Sequence, residues 1–154
     1  MDDARLRTHL KKLLDWHDAH ATFDDAVEGI PPEQRGKQPA ALPYSPWQLL
    51  EHVRLAQWDI LDFCVNPDYH EGKFPDDYWP RDVAPKGDEW QKSVASFKAD
   101  REKLKKLAGS AELSAKVPAG TGQTFLRELL LVADHNAYHT GELIVVRRLL
   151  GCWR

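Results

Sequence analysis

Apolar side chains recur at intervals of three and four residues along four stretches of this 154-residue chain, and this period is typical of amphipathic helices. Strand signals are weak, and the short candidate at 115–117 is discounted. The pattern predicts an all-α fold, a four-helix bundle, in one domain over residues 1–154. The predicted helices cover residues 2–28, 46–65, 88–108 and about 121–150.

Capping residues mark several of the predicted helix ends. Ser45 followed by Pro46 and Gln48 forms a capping box at the start of the second helix. Gly109 is expected to stop the third helix and Gly151 the fourth, since glycine often follows the last helical residue. The long connection at 66–87 is rich in proline and aromatic residues, so we expect an ordered loop over one end of the bundle.

Charge and composition exclude several function classes. The net charge of −3 is spread over interspersed acids and bases, which gives no support to nucleic-acid or anionic-membrane binding. The longest unbroken apolar run, 129–133, is too short to span a bilayer, and the charged N-terminus does not resemble a secretory signal. Cys64 and Cys152 have no CxxC spacing, so we expect a reducing, cytoplasmic location.

Three histidines fall where the helical period predicts buried apolar side chains. His135 and His139 lie one turn apart on the fourth helix, and His52 comes from the second helix. Burying three polar rings costs free energy unless each finds a partner, and one metal ion satisfies all three. The pattern therefore indicates a metal site of neutral imidazoles with at least one open coordination position.

Other interpretations of these histidines stay open from the residues alone. A lone histidine on an apolar face is usually a hydrogen-bonded core residue, and HxxxH also arises by chance. His17 and His20 form a rival pair on the first helix, on a more acidic face. Asn136 stands where the zinc proteases of the HExxH type carry glutamate, which argues against peptide hydrolysis.

Glu142 lies three residues after His139, on the same side of the helix. It is a candidate to orient a metal ligand or to act as a base. The alternative is a surface carboxylate paired with Arg147 or Arg148. The pattern does not decide between these roles.

Two motifs resemble those of the DinB/YfiT-like family. They are Ser-Pro-Trp-Gln-Leu-Leu-Glu-His at 45–52 and Asp-His-Asn-Ala-Tyr-His-Thr-Gly-Glu-Leu at 134–143, and the aromatic segment 76–80 is similar to a loop of one subgroup. The resemblance covers essentially the whole chain. It implies a four-helix bundle of up-down-down-up topology, and a homodimer.

The same resemblance implies a divalent metal, zinc or nickel, held by His52, His135 and His139. Characterised relatives are thiol-dependent enzymes that use bacillithiol, mycothiol or glutathione. Family members commonly carry glutamine at the position of Glu142, so this chain departs from the family there.

Two function classes follow from these expectations. The first is a metal-dependent enzyme, a thiol S-transferase or else a hydrolase, with a small-molecule substrate and with Trp79 and Tyr78 shaping the entrance. The second is a metal-stabilised binding or stress-response module without turnover. A fourth protein ligand would favour the module, and an open coordination position would favour the enzyme. A metal-free bundle with three core histidines is the third option.

Overall fold

The structure is a computed structural model and describes residues 3–16 and 18–153. The regular secondary structure of these residues is helical. None of the described helices combines the length and the apolar character needed to cross a membrane. In chain order the helices are α1 (Asp3–Leu13), α2 (Phe23–Val27), α3 (Pro46–Val65), α4 (Glu89–Ser110) and α5 (Phe125–Leu149), with one 3-10 turn at Pro32–Gln34.

Contacts between the long helices fix their directions. Arg7 near the start of α1 donates to the carbonyl oxygen of Ala111 just after α4, whereas Phe23 stacks on Phe97 nearer the start of α4. The first part of the chain therefore runs antiparallel to α4.

Helix α3 lies parallel to α4 and antiparallel to α5. Trp47 and Trp90, near the two helix starts, share one core cluster, while Leu61 and Leu104 share the other. Gln57 of α3 contacts Asn136 of α5. His52, which precedes Gln57 along α3, contacts His139, which follows Asn136 along α5. The directions are up, down, down, up, so the predicted bundle topology is confirmed.

The prediction of one continuous first helix over 2–28 is wrong. Helix α1 ends at Leu13, and α2 begins anew at Phe23. Thr22 forms a capping box with Asp25: its side chain accepts from the Asp25 amide at 3.1 Å, and its own amide donates to the Asp25 carboxylate at 2.9 Å. This local pairing competes with continued helix, although the apolar spacing carries on across the break. Residue 2 lies outside the described residues.

Gly109 does not stop α4, contrary to the prediction, because the helix continues to Ser110. A Cβ at Gly109 would come within 2.8 Å of the Lys11 ammonium nitrogen, a contact that a shift of this flexible side chain would relieve. The other predicted signals are confirmed. Ser45 and Gln48 form the capping box of α3. Gly151 has a positive φ of 72°, which is typical of the glycine that follows a helix.

The discounted strand at 115–117 amounts to one isolated bridge between Lys116 and Thr124, in the part of the chain that the structure describes.

The connection at 66–88 is anchored to the bundle where α3 begins. Ser45 Oγ donates to the Val83 carbonyl oxygen at 2.6 Å, and Gly36 packs directly against Ala84. This loop therefore lies beside the first turns of α3, the region that carries His52.

Candidate metal centre

Antiparallel packing of α3 against α5 brings the three predicted histidines together. The Nε2 atoms of His52 and His139 are 3.1 Å apart, and those of His135 and His52 are 3.3 Å apart. One ligand nitrogen from each ring lies within 4.8 Å of the other two. His52 and His139 are buried, with 6% and 9% of their surface exposed, and His135 is partly buried.

Hydrogen bonds outside the cluster determine which nitrogen of two rings carries the proton. His52 Nδ1 donates to the Tyr78 carbonyl oxygen at 2.9 Å, since a carbonyl can only accept. His139 Nδ1 donates to the carboxylate of Glu142 at 2.6 Å. In a neutral imidazole the other nitrogen then holds a lone pair, so both Nε2 lone pairs point into the cluster.

Burial favours the neutral form of two of the three rings, His52 and His135. It lowers the pKa of His52, partly offset by the hydrogen bond to Tyr78. It also lowers the pKa of His135 to about 4, and the neighbouring His139 acts in the same direction. Neutral imidazole is the form that ligates metal ions, so the electrostatics of the site favour a cation over a proton.

The donor set fits a divalent ion. Two lone pairs 3.1 Å apart repel each other unless an electrophile lies between them. Nitrogens about 2.0–2.1 Å from a tetrahedral zinc lie roughly 3.4 Å from one another, close to the separations observed here. His52, His135 and His139 could therefore hold one metal ion, and no fourth His, Cys, Asp or Glu joins the group among the residues described.

Glu142 contacts the ring of His139, as an orienting role requires. Besides accepting from His139, its carboxylate accepts from the Tyr44 hydroxyl at 3.0 Å. Arg147 is occupied elsewhere, because its guanidinium donates to the carbonyl oxygens of Ala26 and Cys152.

Trp79 and Tyr78 contact the His52 ring directly. The Trp79 ring stacks on His52 with centroids 3.9 Å apart and planes inclined by 6°. Tyr78 contributes its backbone carbonyl to the same ring. Of the rival pair, His20 is exposed, with Nδ1 2.9 Å from the carbonyl oxygen of Ala21, and it is not part of the histidine cluster. His17 lies outside the described residues.

Sequence reasoning missed four groups that lie near the histidines. They are the Tyr44 hydroxyl, the Tyr78 carbonyl, and the side chains of Gln57 and Asn136. Gln57 and Asn136 did carry a signal, since each is a polar residue at a position that the helical period places near the core. The Tyr78 carbonyl carried none, because the path of an irregular loop is not encoded in spacing.

Neither the cavity beside α5 nor the two thiols belong to the cluster. A cavity of about 260 Å³ lies on the other flank of α5, lined in part by Phe97, Ala133 and Asn136 and by none of the three histidines. Cys64 is buried, and burial raises the pKa of its thiol to about 12. Both cysteines are free thiols, and neither is among the grouped ligands.

Comparison with known proteins identifies the family. No match was found among curated proteins or among solved structures. The family model described as the DinB superfamily matches residues 15–143, most of the chain and all three histidines. The chain belongs to the DinB superfamily.

Proposed function

We propose that this protein is a metal-dependent enzyme that transfers the sulfur of a small thiol to an electrophilic substrate. The observation that carries the proposal is the close approach of three Nε2 atoms between α3 and α5. The Nε2 atom of His52 lies 3.1 Å from that of His139 and 3.3 Å from that of His135. Such an arrangement is costly in the absence of a cation, and it provides a three-nitrogen site when a divalent ion binds.

Three ligands favour an enzyme over a closed structural site. Structural zinc is almost always held by four protein ligands, whereas catalytic zinc keeps a position for water or substrate. Neutral imidazoles also leave the full charge of the ion available. When bound with an open position, a divalent ion lowers the pKa of a thiol that binds to it.

Residues of the chain then have distinct roles. His52, His135 and His139 hold the ion, and Glu142 orients His139 through Nδ1. We propose that Trp79 and Tyr78 line the approach for the substrate. In the transfer, the substrate thiol releases its proton to water, its sulfur bonds to the electrophilic carbon, and the leaving group departs with its bonding pair.

The proposed cofactor is zinc or nickel, both of which suit imidazole ligands. The proposed thiol is a separate molecule of low molecular weight, because neither cysteine of the chain is grouped with the three histidines. A cytoplasmic location accords with two free thiols. We also propose a homodimer, for which light scattering should give about twice the 17.6 kDa mass of the chain.

A thiol-conjugation assay tests the proposal. Metal-free protein is loaded with zinc or nickel and given 1-chloro-2,4-dinitrobenzene with glutathione, bacillithiol or mycothiol. The proposal predicts thioether formation at a rate that depends on protein and metal, with one thiol preferred. His135→Ala should abolish the metal-dependent rate, and His9→Ala, at an exposed position of α1, should leave it unchanged.

The outcomes separate the candidate functions. Rates equal to the protein-free background with every thiol and both metals would contradict thiol transfer to this electrophile class. If metal binding then still stabilised the fold, the binding module without turnover would be the better description.

A further inference from the structure

Two buried amides connect α3, α4 and α5 behind His135. Gln57 is fully buried and Asn136 is 6% exposed. Gln57 Nε2 donates to the Phe97 carbonyl oxygen at 2.8 Å, and Asn136 Nδ2 donates to Gln57 Oε1 at 2.9 Å. Buried amides destabilise a core unless their polar atoms are paired, so these two hydrogen bonds offset much of the cost of burying Gln57 and Asn136.

The Phe97 carbonyl fixes the orientation of both amides. It can only accept, so the NH₂ group of Gln57 must face it and Oε1 must face Asn136. An oxygen there requires a donor, so the NH₂ group of Asn136 faces Gln57. The series of hydrogen bonds therefore ends at Asn136 Oδ1, which is an acceptor.

Two buried polar atoms at this end lack hydrogen bonds of normal geometry in the structure. They are Asn136 Oδ1 and His135 Nδ1, which belong to successive residues. The first is an acceptor that needs a donor. The second becomes a donor if His135 presents its Nε2 lone pair to the other two rings, as His52 and His139 do.

We propose that Gln57 and Asn136 are positioning residues whose amide chain ends on the Nδ1–H of His135 and holds its Nε2 toward the metal position. Each of the three rings then has its own acceptor: the Tyr78 carbonyl for His52, Glu142 for His139, and Asn136 for His135. The inference rests on the metal site of the proposed function, but not on turnover.

The electrostatics of His135 accord with this arrangement. Burial lowers the pKa of His135, and the Asn136 side chain acts in the opposite direction, as an acceptor for the ring N–H does. The amide is uncharged, so it orients the ring without reducing the charge of a bound ion.

The first test is the tautomer of His135 in the metal-free full chain, read from two-bond ¹H–¹⁵N correlation spectra of the imidazole nitrogens. The wild type should show Nδ1–H at His135. Asn136→Leu, which removes the acceptor at similar volume, should shift His135 toward Nε2–H or a mixture. Thr140→Val, a buried polar position one turn further along α5, is the matched control and should leave the tautomer unchanged.

The second test is zinc affinity, measured by competition with a chromophoric chelator. Asn136→Leu should weaken binding about 10- to 100-fold, the usual range for loss of a group that orients a ligand. Asn136→Asp keeps an acceptor for His135 and loses the donor to Gln57, so it should retain Nδ1–H and bind zinc more tightly than Asn136→Leu. Thr140→Val should bind as the wild type does.

An unchanged His135 tautomer in Asn136→Leu would overturn the inference, as would equal loss of affinity in Asn136→Leu and Asn136→Asp. If Asn136→Leu fails to fold, the comparison of Asn136→Asp with wild type decides: loss of Nδ1–H there contradicts the inference, and its retention supports it. Wild type that binds no zinc would refute the metal site, while the tautomer spectra would still test the amide chain.

Discussion

Glu142 accepts two hydrogen bonds, and one of them comes from a histidine of the cluster. Its two carboxylate oxygens accept from His139 Nδ1 and from the Tyr44 hydroxyl, which holds the carboxylate in one orientation. A charge-assisted hydrogen bond to a ligand imidazole raises the basicity of its other nitrogen. Glu142 is therefore expected to increase metal affinity without contacting the ion.

Substitution Glu142→Gln should weaken zinc binding about 10-fold, because the amide keeps an acceptor but loses the charge. Chelator competition measures the change. Asp134→Asn removes the same charge from a solvent-exposed side chain on the same helix and should change affinity by less than about twofold. Equal effects of the two substitutions would show that general electrostatics alone are responsible.

Cys64 and Cys152 should differ in reactivity. Burial raises the pKa of Cys64 to about 12, so its thiol stays protonated and inaccessible in the native protein at pH 8. Iodoacetamide followed by mass spectrometry should show at most one modification per native chain, at the partly exposed Cys152, and two after denaturation. Native modification of Cys64 would contradict the packing at the C-terminal end of α3.

Residue-scale prediction from sequence succeeded where the helical period applied. His52, His135 and His139 share the inward positions of α3 and α5, so spacing was enough to group them as candidates. The supporting groups depend on tertiary contacts that spacing does not encode. Tyr44, for example, reaches Glu142 from a position 98 residues earlier in the chain.

At the scale of the elements, the loop at 66–88 acts as part of the site. It supplies the Tyr78 carbonyl and the Trp79 ring to His52, and it packs against the connection between α2 and α3, where Gly36 closely approaches Ala84. A Cβ on Gly36 would overlap the Ala84 methyl group and come within 3.0 Å of Ala84 Cα, so backbone must shift.

Gly36→Ala should therefore destabilise the fold by about 1–3 kcal/mol, the usual cost of an overpacked contact. It should also weaken zinc binding, because the displaced loop carries the acceptor of His52. Denaturant unfolding and chelator competition measure the two effects. Gly122→Ala is the control, since a Cβ there meets open space at an ordinary φ. A stable Gly36→Ala variant with normal affinity would contradict the role of this loop.

The first helix shows why element boundaries were harder to predict than element identity. The apolar spacing of α1 carries on into α2, so periodicity alone indicated one helix. The Thr22–Asp25 capping box and the hydrogen bond from Trp16 Nε1 to Asp18 at 2.7 Å are local side-chain pairings that end and restart the helix. The capping box of α3 was predicted because Pro46 follows Ser45 and makes the start unambiguous.

For the whole molecule, a bound ion would link α3 to α5 at the centre of the bundle. Ligand that binds only the folded state at 100 times its Kd stabilises by about 2.7 kcal/mol. For a chain of this length we expect Tm to rise by roughly 5–10 °C on addition of zinc. Differential scanning fluorimetry of wild type and His139→Ala measures this. An equal rise in both proteins would indicate that zinc acts elsewhere.

Metal content per chain tests the central claim most directly. Elemental analysis of the purified, zinc-equilibrated protein should give one ion per wild-type chain, and substantially less for His52→Ala, His135→Ala and His139→Ala. His9→Ala, an exposed histidine on α1, should retain one ion. Equal metal content in the wild type and all four variants, or none in the wild type, would contradict a site built from these three histidines.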